Sequence, residues 1–141
     1  MFHILIAEDN PPDAELLRDA LESSGLKSMI TVVETGDEFL AYAREACDGG
    51  LVYAPDLILL DWNLPRGRGS ELVREIRLTK RCAKAPIFVF TSSISPKDRE
   101  EALKAGATRF FSKPTHLKEF MAIGPMVRAF LEEGVDPPSA E

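Results

Sequence analysis

The chain has 141 residues with 45% hydrophobic and 28% charged side chains, enough to bury the core of one domain of ordinary size. A formal net charge of −6 disfavours binding to a nucleic-acid backbone and suits clustered carboxylates that take a cation. No apolar stretch approaches the roughly 20 residues that span a bilayer, and no basic segment precedes the first apolar run, so neither a membrane span nor a signal peptide is expected.

Short apolar runs alternate with amphipathic segments five times. Residues 4–7 read as a buried strand, followed by a helix over 13–24 that places Ala14, Leu17 and Leu21 on one face and stops at Gly25. A strand rich in β-branched residues is expected over 29–33 and a helix over 36–46, with Phe39, Leu40 and Ala43 inward. Residues 57–60 form a wholly apolar third strand, and 71–78 a helix with Leu72, Val73 and Ile76 on its face. Residues 86–90 read as the fourth strand, and 96–105 as a helix with Pro96 at its start and Gly106 after its end. A short strand over 108–111 and a helix over 116–131 close the pattern, that helix bent or broken at Gly124-Pro125. Asp48-Gly49-Gly50 reads as a turn and 134–141 as a flexible tail after a domain over 1–133, with no output domain.

Strands apolar throughout are buried on both faces, and their alternation with helices argues for parallel βαβ units with right-handed crossovers. The expected product is a doubly wound, three-layer α/β sandwich, whose site lies at the carboxyl ends of the strands. The residues at those ends are Glu8 and Asp9 after the first strand, Asp61 after the third, Thr91 and Ser92 after the fourth, and Lys113 after the fifth. Three converging carboxylates repel one another, and a hard divalent cation such as Mg2+ relieves that repulsion. Lys113 and Thr91 offer a charge and a hydroxyl to an incoming phosphoryl group, and a carboxylate can become an aspartyl phosphate.

These residues carry a resemblance. Ile4-Leu5-Ile6-Ala7-Glu8-Asp9-Asn10 resembles the acidic-pair motif of the receiver domains of two-component response regulators. The run from Leu57 to Pro65, with Gly69 beyond it, is similar to their phosphoacceptor motif. Phe88-Val89-Phe90-Thr91-Ser92 resembles the strand that delivers a hydroxyl, and Gly106 to Pro114 the closing lysine motif. Each motif alone is weak, but four in order, spread over residues 3–131, are specific.

The resemblance implies a flavodoxin-like (βα)5 sandwich with strand order 2-1-3-4-5. Asp61 would accept a phosphoryl group from a phosphohistidine on a sensor histidine kinase. Mg2+ or Mn2+ would be held by Asp9, Asp61 and the main-chain carbonyl of Asn63, with Glu8 acting through water. Thr91 and Lys113 would bind the phosphoryl oxygens, and Phe110 would be the switch aromatic. Partners would be the kinase and a downstream target or phosphorelay protein. A homodimer would form through the fourth helix, fifth strand and fifth helix. The chain between Asp9 and Asp61 is longer than in compact chemotaxis-type receivers, through an extended connection over 47–55. That connection, Glu8-Asp9-Asn10-Pro11 and Thr91-Ser92-Ser93 are similar to stand-alone regulators that partner bacterial phytochromes.

Plainer readings stand beside these. Asp9-Asn10-Pro11-Pro12 also serves as a helix cap, and Phe110 as core, with Phe111 on the opposite face of the strand. Gly67-Arg68-Gly69 lacks the later glycine of a dinucleotide loop, because Leu72 stands there. The basic residues between Arg66 and Lys84 read as a solvated helix face. His3 and His116 have no neighbours that suggest catalysis. Cys47 and Cys82 stand apart in unrelated contexts, without a CxxC spacing, and read as reduced in a cytoplasmic protein. An alternative function is an aspartyl-phosphate phosphatase or phosphotransferase; such chemistry wants an acid two residues after the nucleophile, where this chain has Asn63.

Overall fold

The strands pair in the order their burial demands. A computed structural model describes residues 1–50, 53–92 and 95–138. Strands β1 (Phe2–Ala7), β2 (Ser28–Val33), β3 (Leu57–Asp61), β4 (Ile87–Thr91) and β5 (Arg109–Ser112) form one parallel sheet in the order β2-β1-β3-β4-β5. Helices α1 (Pro11–Ser23), α2 (Gly36–Ala43), α3 (Gly69–Arg77), α4 (Pro96–Ala105) and α5 (Leu117–Glu133) follow the strands in turn. The fold is the expected flavodoxin-like sandwich.

The three central strands carry apolar side chains on both faces, and the period of two sorts them. Leu5, Ala7, Ile58, Leu60 and Val89 pack with Phe39 of α2, Leu72 and Ile76 of α3 and Ala102 of α4. Ile4, Ile6, Leu57, Leu59, Phe88 and Phe90 pack with Leu17 and Leu21 of α1 and Phe120, Ile123 and Val127 of α5. Burying each large side chain contributes about 1.5–3 kcal/mol. Parallel register aligns Ala7 with Leu60, Asp61 with Phe90 and Thr91 with Ser112, so the strands end along one edge.

The helix after β1 starts where Asn10 caps it. The Asn10 side chain accepts from the Asp13 main-chain N–H at 3.2 Å, and Pro11 and Pro12 fill first-turn positions that need no donor. Gly36 opens α2 because its backbone lies against the β3–α3 connection: its N–H donates to the Pro65 carbonyl at 2.8 Å, and any Cβ would run into the Arg66 carbonyl.

Several expectations need correction. Helix α5 is not broken at Gly124-Pro125; it runs unbroken from Leu117 to Glu133 with Pro125 inside it. Gly124 serves close approach rather than flexibility, since a Cβ there would overlap the Ala20 carbonyl of α1. Arg128 of the following turn donates to the Ser24 carbonyl at 2.6 Å and fixes the same contact. The second helix ends at Ala43 and continues as a π-helical turn over Arg44–Gly49, so Asp48-Gly49 lies in helical backbone and Gly50 takes the left-handed conformation.

The cysteines do not stand apart. Cys47 in the π-helical turn and Cys82 after α3 are joined in a buried disulfide across 35 residues. The topology packs these two connections together, and neither local context signals the pairing. Nor is the basic stretch uniformly solvated. Arg77 is half-buried, and its guanidinium donates to the Gly106 carbonyl at 2.8 and 2.9 Å and to the Ala85 carbonyl at 2.7 Å. Burial pulls its pKa below the ordinary arginine value.

After α5, the Val135 N–H donates to the Ala129 carbonyl at 3.2 Å, Asp136 lies 3.5 Å from Arg109 and Pro137 is buried. Residues 139–141 of the segment read as a tail, Leu51 and Val52 of the connection over 47–55, and Ser93 lie outside the described residues.

Candidate functional site

The sheet delivers the expected side chains to one edge. Glu8 and Asp9 follow β1, Asp61 ends β3, Thr91 ends β4 and Lys113 follows β5. Oxygen atoms of Glu8, Asp9 and Asp61 lie within 4.8 Å of one another. Glu8 is 2% exposed and Asp61 8%, whereas Asp9 is open to solvent.

Lys113 answers this negative charge. Its Nζ lies 2.8 Å from Glu8 Oε1, 2.9 Å from Asp13 Oδ2 and 3.3 Å from Asp61 Oδ2. Its main-chain N–H donates to the Thr91 carbonyl at 2.7 Å, which ties the fifth strand's end to the fourth's. Burial works against the Lys113 charge, but the contacts with Glu8, Asp13 and Asp61 outweigh it and hold the ammonium above the ordinary lysine range. Burial pushes the Glu8 carboxyl up to about 7; Lys113 and the Asn10 N–H oppose that rise, and the nearby Asp61 adds to it.

Asn63 bridges two of these groups. Its main-chain N–H donates to Asp61 Oδ1 at 3.1 Å, and its side-chain amide donates to Thr91 Oγ1 at 3.1 Å. Thr91 is fully buried. Val89, Phe110 and the other members of one core cluster share a sheet face, and Thr91, two residues after Val89, points the same way. Phe111 takes the opposite face, stacked on Phe90 with ring centroids 5.0 Å apart. Trp62, next to Asp61, lies over Gly69, where any Cβ would enter its indole ring.

Sequence reasoning missed two members of the site. Asp13 counted only as a helix start, although the first turn of α1 faces the same sheet edge as the acidic pair. Asn63 counted for its carbonyl, not its amide. A cavity of about 640 Å³ lined by His3, Tyr42, Glu45 and Arg81 opens beside the start of β1 and includes none of the strand-end carboxylates.

The donor set is all oxygen and multiply anionic, which fits a hard divalent cation of the Mg2+ or Mn2+ kind. Glu8, Asp9 and Asp61 would hold it, and it would neutralise charge on a phosphoryl group.

A family model described as the response regulator receiver domain matches residues 4–123. The chain is 38% identical to the transcriptional regulatory protein BaeR of Escherichia coli over 119 residues, which cover 84% of this chain but 45% of BaeR. It is 26% identical to the response regulator Rcp1 of Synechocystis over 137 residues, 97% of this chain and 93% of Rcp1. The crystal structure of Mn2+-bound Rcp1 superposes with a TM-score of 0.84 at 25% identity, covering 99% of this chain and 100% of that one. The phosphorylated cyanobacterial phytochrome response regulator RcpA superposes with a TM-score of 0.85 at 29% identity, covering 98% and 99%.

Proposed function

The chain belongs to the response regulator receiver family, whose members accept a phosphoryl group from histidine kinases in two-component signalling and act on downstream targets, and from that premise we propose that Asp61 is the phosphoacceptor of this protein. The observation that carries the assignment is the placement of Asp61: nearly buried at the end of β3, grouped with Glu8 and Asp9, and 3.3 Å from Lys113.

A carboxylate oxygen of Asp61 attacks the phosphorus of a phosphohistidine. The new P–O bond forms as the P–N bond breaks, and the bonding pair leaves on the imidazole nitrogen. Glu8, Asp9, Asp61 and the Asn63 carbonyl would hold Mg2+ or Mn2+, which would supply electrostatic stabilisation of the phosphoryl oxygens. The N–H of Asn63 holds Asp61 in place, and Lys113 supplies the fixed positive charge that the transferred group needs. Asn63, standing where a phosphatase of related fold would want a general acid, cannot donate a proton from its amide at neutral pH. The chain's own chemistry is thus its phosphorylation and dephosphorylation.

Thr91 and Phe110 form the switch. A phosphoryl group on Asp61 draws the Thr91 hydroxyl inward, and Phe110, on the same sheet face, fills the space vacated. The surface of α4, β5 and α5 changes shape, and a target, a phosphorelay partner or a second copy reads it there. Likeness to the phytochrome response regulator RcpA supports a phytochrome-type kinase as donor. Receipt of a phosphoryl group from a sensor kinase supports a cytoplasmic location, and among the described residues no helix is long and apolar enough to cross a membrane.

Acetyl phosphate or beryllofluoride with Mg2+ should modify the wild type and leave Asp61→Asn unmodified. Equal labelling of Asp61→Asn overturns the assignment.

A further inference from the structure

We propose that Asp13 is a positioning residue for Lys113, and that its charge sets how strongly the site attracts an anionic phosphoryl group. The proposal rests on the reading of Asp61 as phosphoacceptor.

An ammonium has three N–H donors, and the three carboxylates around Lys113 match that number. They differ in their other commitments. Glu8 and Asp61 belong to the cluster of oxygens that fits a cation, and Asp61 also receives the phosphoryl group; Asp13 belongs to neither. Its contact at 2.9 Å is shorter than that of Asp61 at 3.3 Å. The Asp61 contact is therefore the one a phosphoryl oxygen would displace, and Glu8 is the carboxylate that a cation would share with the lysine. Asp13 then remains the anchor.

The anchor is rigid and partly shielded. Asp13 stands in the first turn of α1 with its N–H bound to the Asn10 side chain, so its backbone has little freedom. Its side chain is 24% exposed and that of Lys113 16%, which screens the pair less than a fully solvated surface pair. Two effects follow. The contact keeps the ammonium over the pocket, and the carboxylate offsets a unit of the positive charge that a phosphoryl group meets. They act in opposite directions and different substitutions separate them.

Asp13→Asn keeps an oxygen acceptor of the same shape and removes the charge. Asp13→Ala removes both, and Asp13→Glu retains the charge. The experiment measures the rate of Asp61 modification against acetyl phosphate concentration, at saturating Mg2+, in the full chain. For Asp13→Asn the half-saturating concentration should fall about three- to tenfold, the size of one partly screened charge. The shift falls on half-saturation more than on maximal rate. Asp13→Ala should show a lower maximal rate than Asp13→Asn, because the lysine loses its anchor, and Asp13→Glu should return half-saturation toward the wild-type value. A merely structural role for Asp13 would not lower half-saturation. Modification confined to Asp61 with unchanged or raised half-saturation in Asp13→Asn overturns this proposal alone. Modification that survives Asp61→Asn overturns the reading of the site, and this proposal with it.

Discussion

The side-chain amide of Asn63 donates to the Thr91 hydroxyl at 3.1 Å, while the main chain of the same residue grips Asp61. One residue thus holds the proposed phosphoacceptor and the proposed switch hydroxyl in a single arrangement. Asn63 donates to the oxygen of that hydroxyl, whose proton is left for a phosphoryl oxygen, and the inward movement proposed for Thr91 would lengthen the Asn63 contact.

Thr91→Ala should accept phosphate, because Asp61 and Lys113 remain, but fail to convert it into partner binding or dimerisation. Asn63→Ala should act the other way. Losing a hydrogen bond worth about 1 kcal/mol shifts the unphosphorylated population about fivefold toward the switched packing. The Asn63 carbonyl survives that substitution. Amide chemical shifts of β4 and β5, with and without beryllofluoride, report both effects; full coupling in Thr91→Ala would remove the switch.

Removing Asp9 should weaken Mg2+ binding while leaving stability unchanged or raised. The carboxylate is an expected ligand, and it also adds to the repulsion with Glu8 and Asp61. Trp62 adjoins Asp61 and is 8% exposed, so its fluorescence follows the titration. Equal Mg2+ affinity in Asp9→Ala would refute the ligand role.

The raised Glu8 pKa predicts an unusual pH dependence in the metal-free protein. Folded Glu8 titrates near 7 and the ordinary value is 4.5. Between those values the folded state holds a proton that the unfolded chain has released. Stability therefore falls as pH rises through that window, by on the order of 3 kcal/mol at most. Below it both states are protonated, and above it both are ionised. Urea unfolding with a chelator present, wild type against Glu8→Gln, isolates this slope, which the variant should lack.

Gly124→Ala should destabilise the fold by about 1–3 kcal/mol despite the higher helix propensity of alanine. The added Cβ overlaps the Ala20 carbonyl and must push α1 from α5. Thermal unfolding measures the loss, and a stabilised Gly124→Ala would show that the helices can separate freely.

The parts of this molecule that depend on local pattern were legible in the sequence. Leu57 to Leu60, apolar on both faces, announces a central strand, and the residues after each such strand announce the edge where Glu8, Asp9, Asp61, Thr91 and Lys113 meet. What escaped depends on distance between side chains remote in sequence. Asp13 meets Lys113 across the fold, Arg77 finds carbonyls beyond its own helix, and Gly124 owes its identity to Ala20. The continuity of α5 through Pro125 has a related reason: the missing hydrogen bond is visible in sequence, but the packing of the helix on α1 is not.

The Cys47–Cys82 bond closes a covalent ring that carries β3, Asp61 and α3, while the strands on either side, β1 and β4, lie outside it. A ring of this size restricts the unfolded ensemble by about 4 kcal/mol in the chain-entropy description. Reduction would therefore widen the ensemble that the folded receiver competes with and lower the midpoint of thermal unfolding, while neither cysteine is among the residues grouped around Asp61.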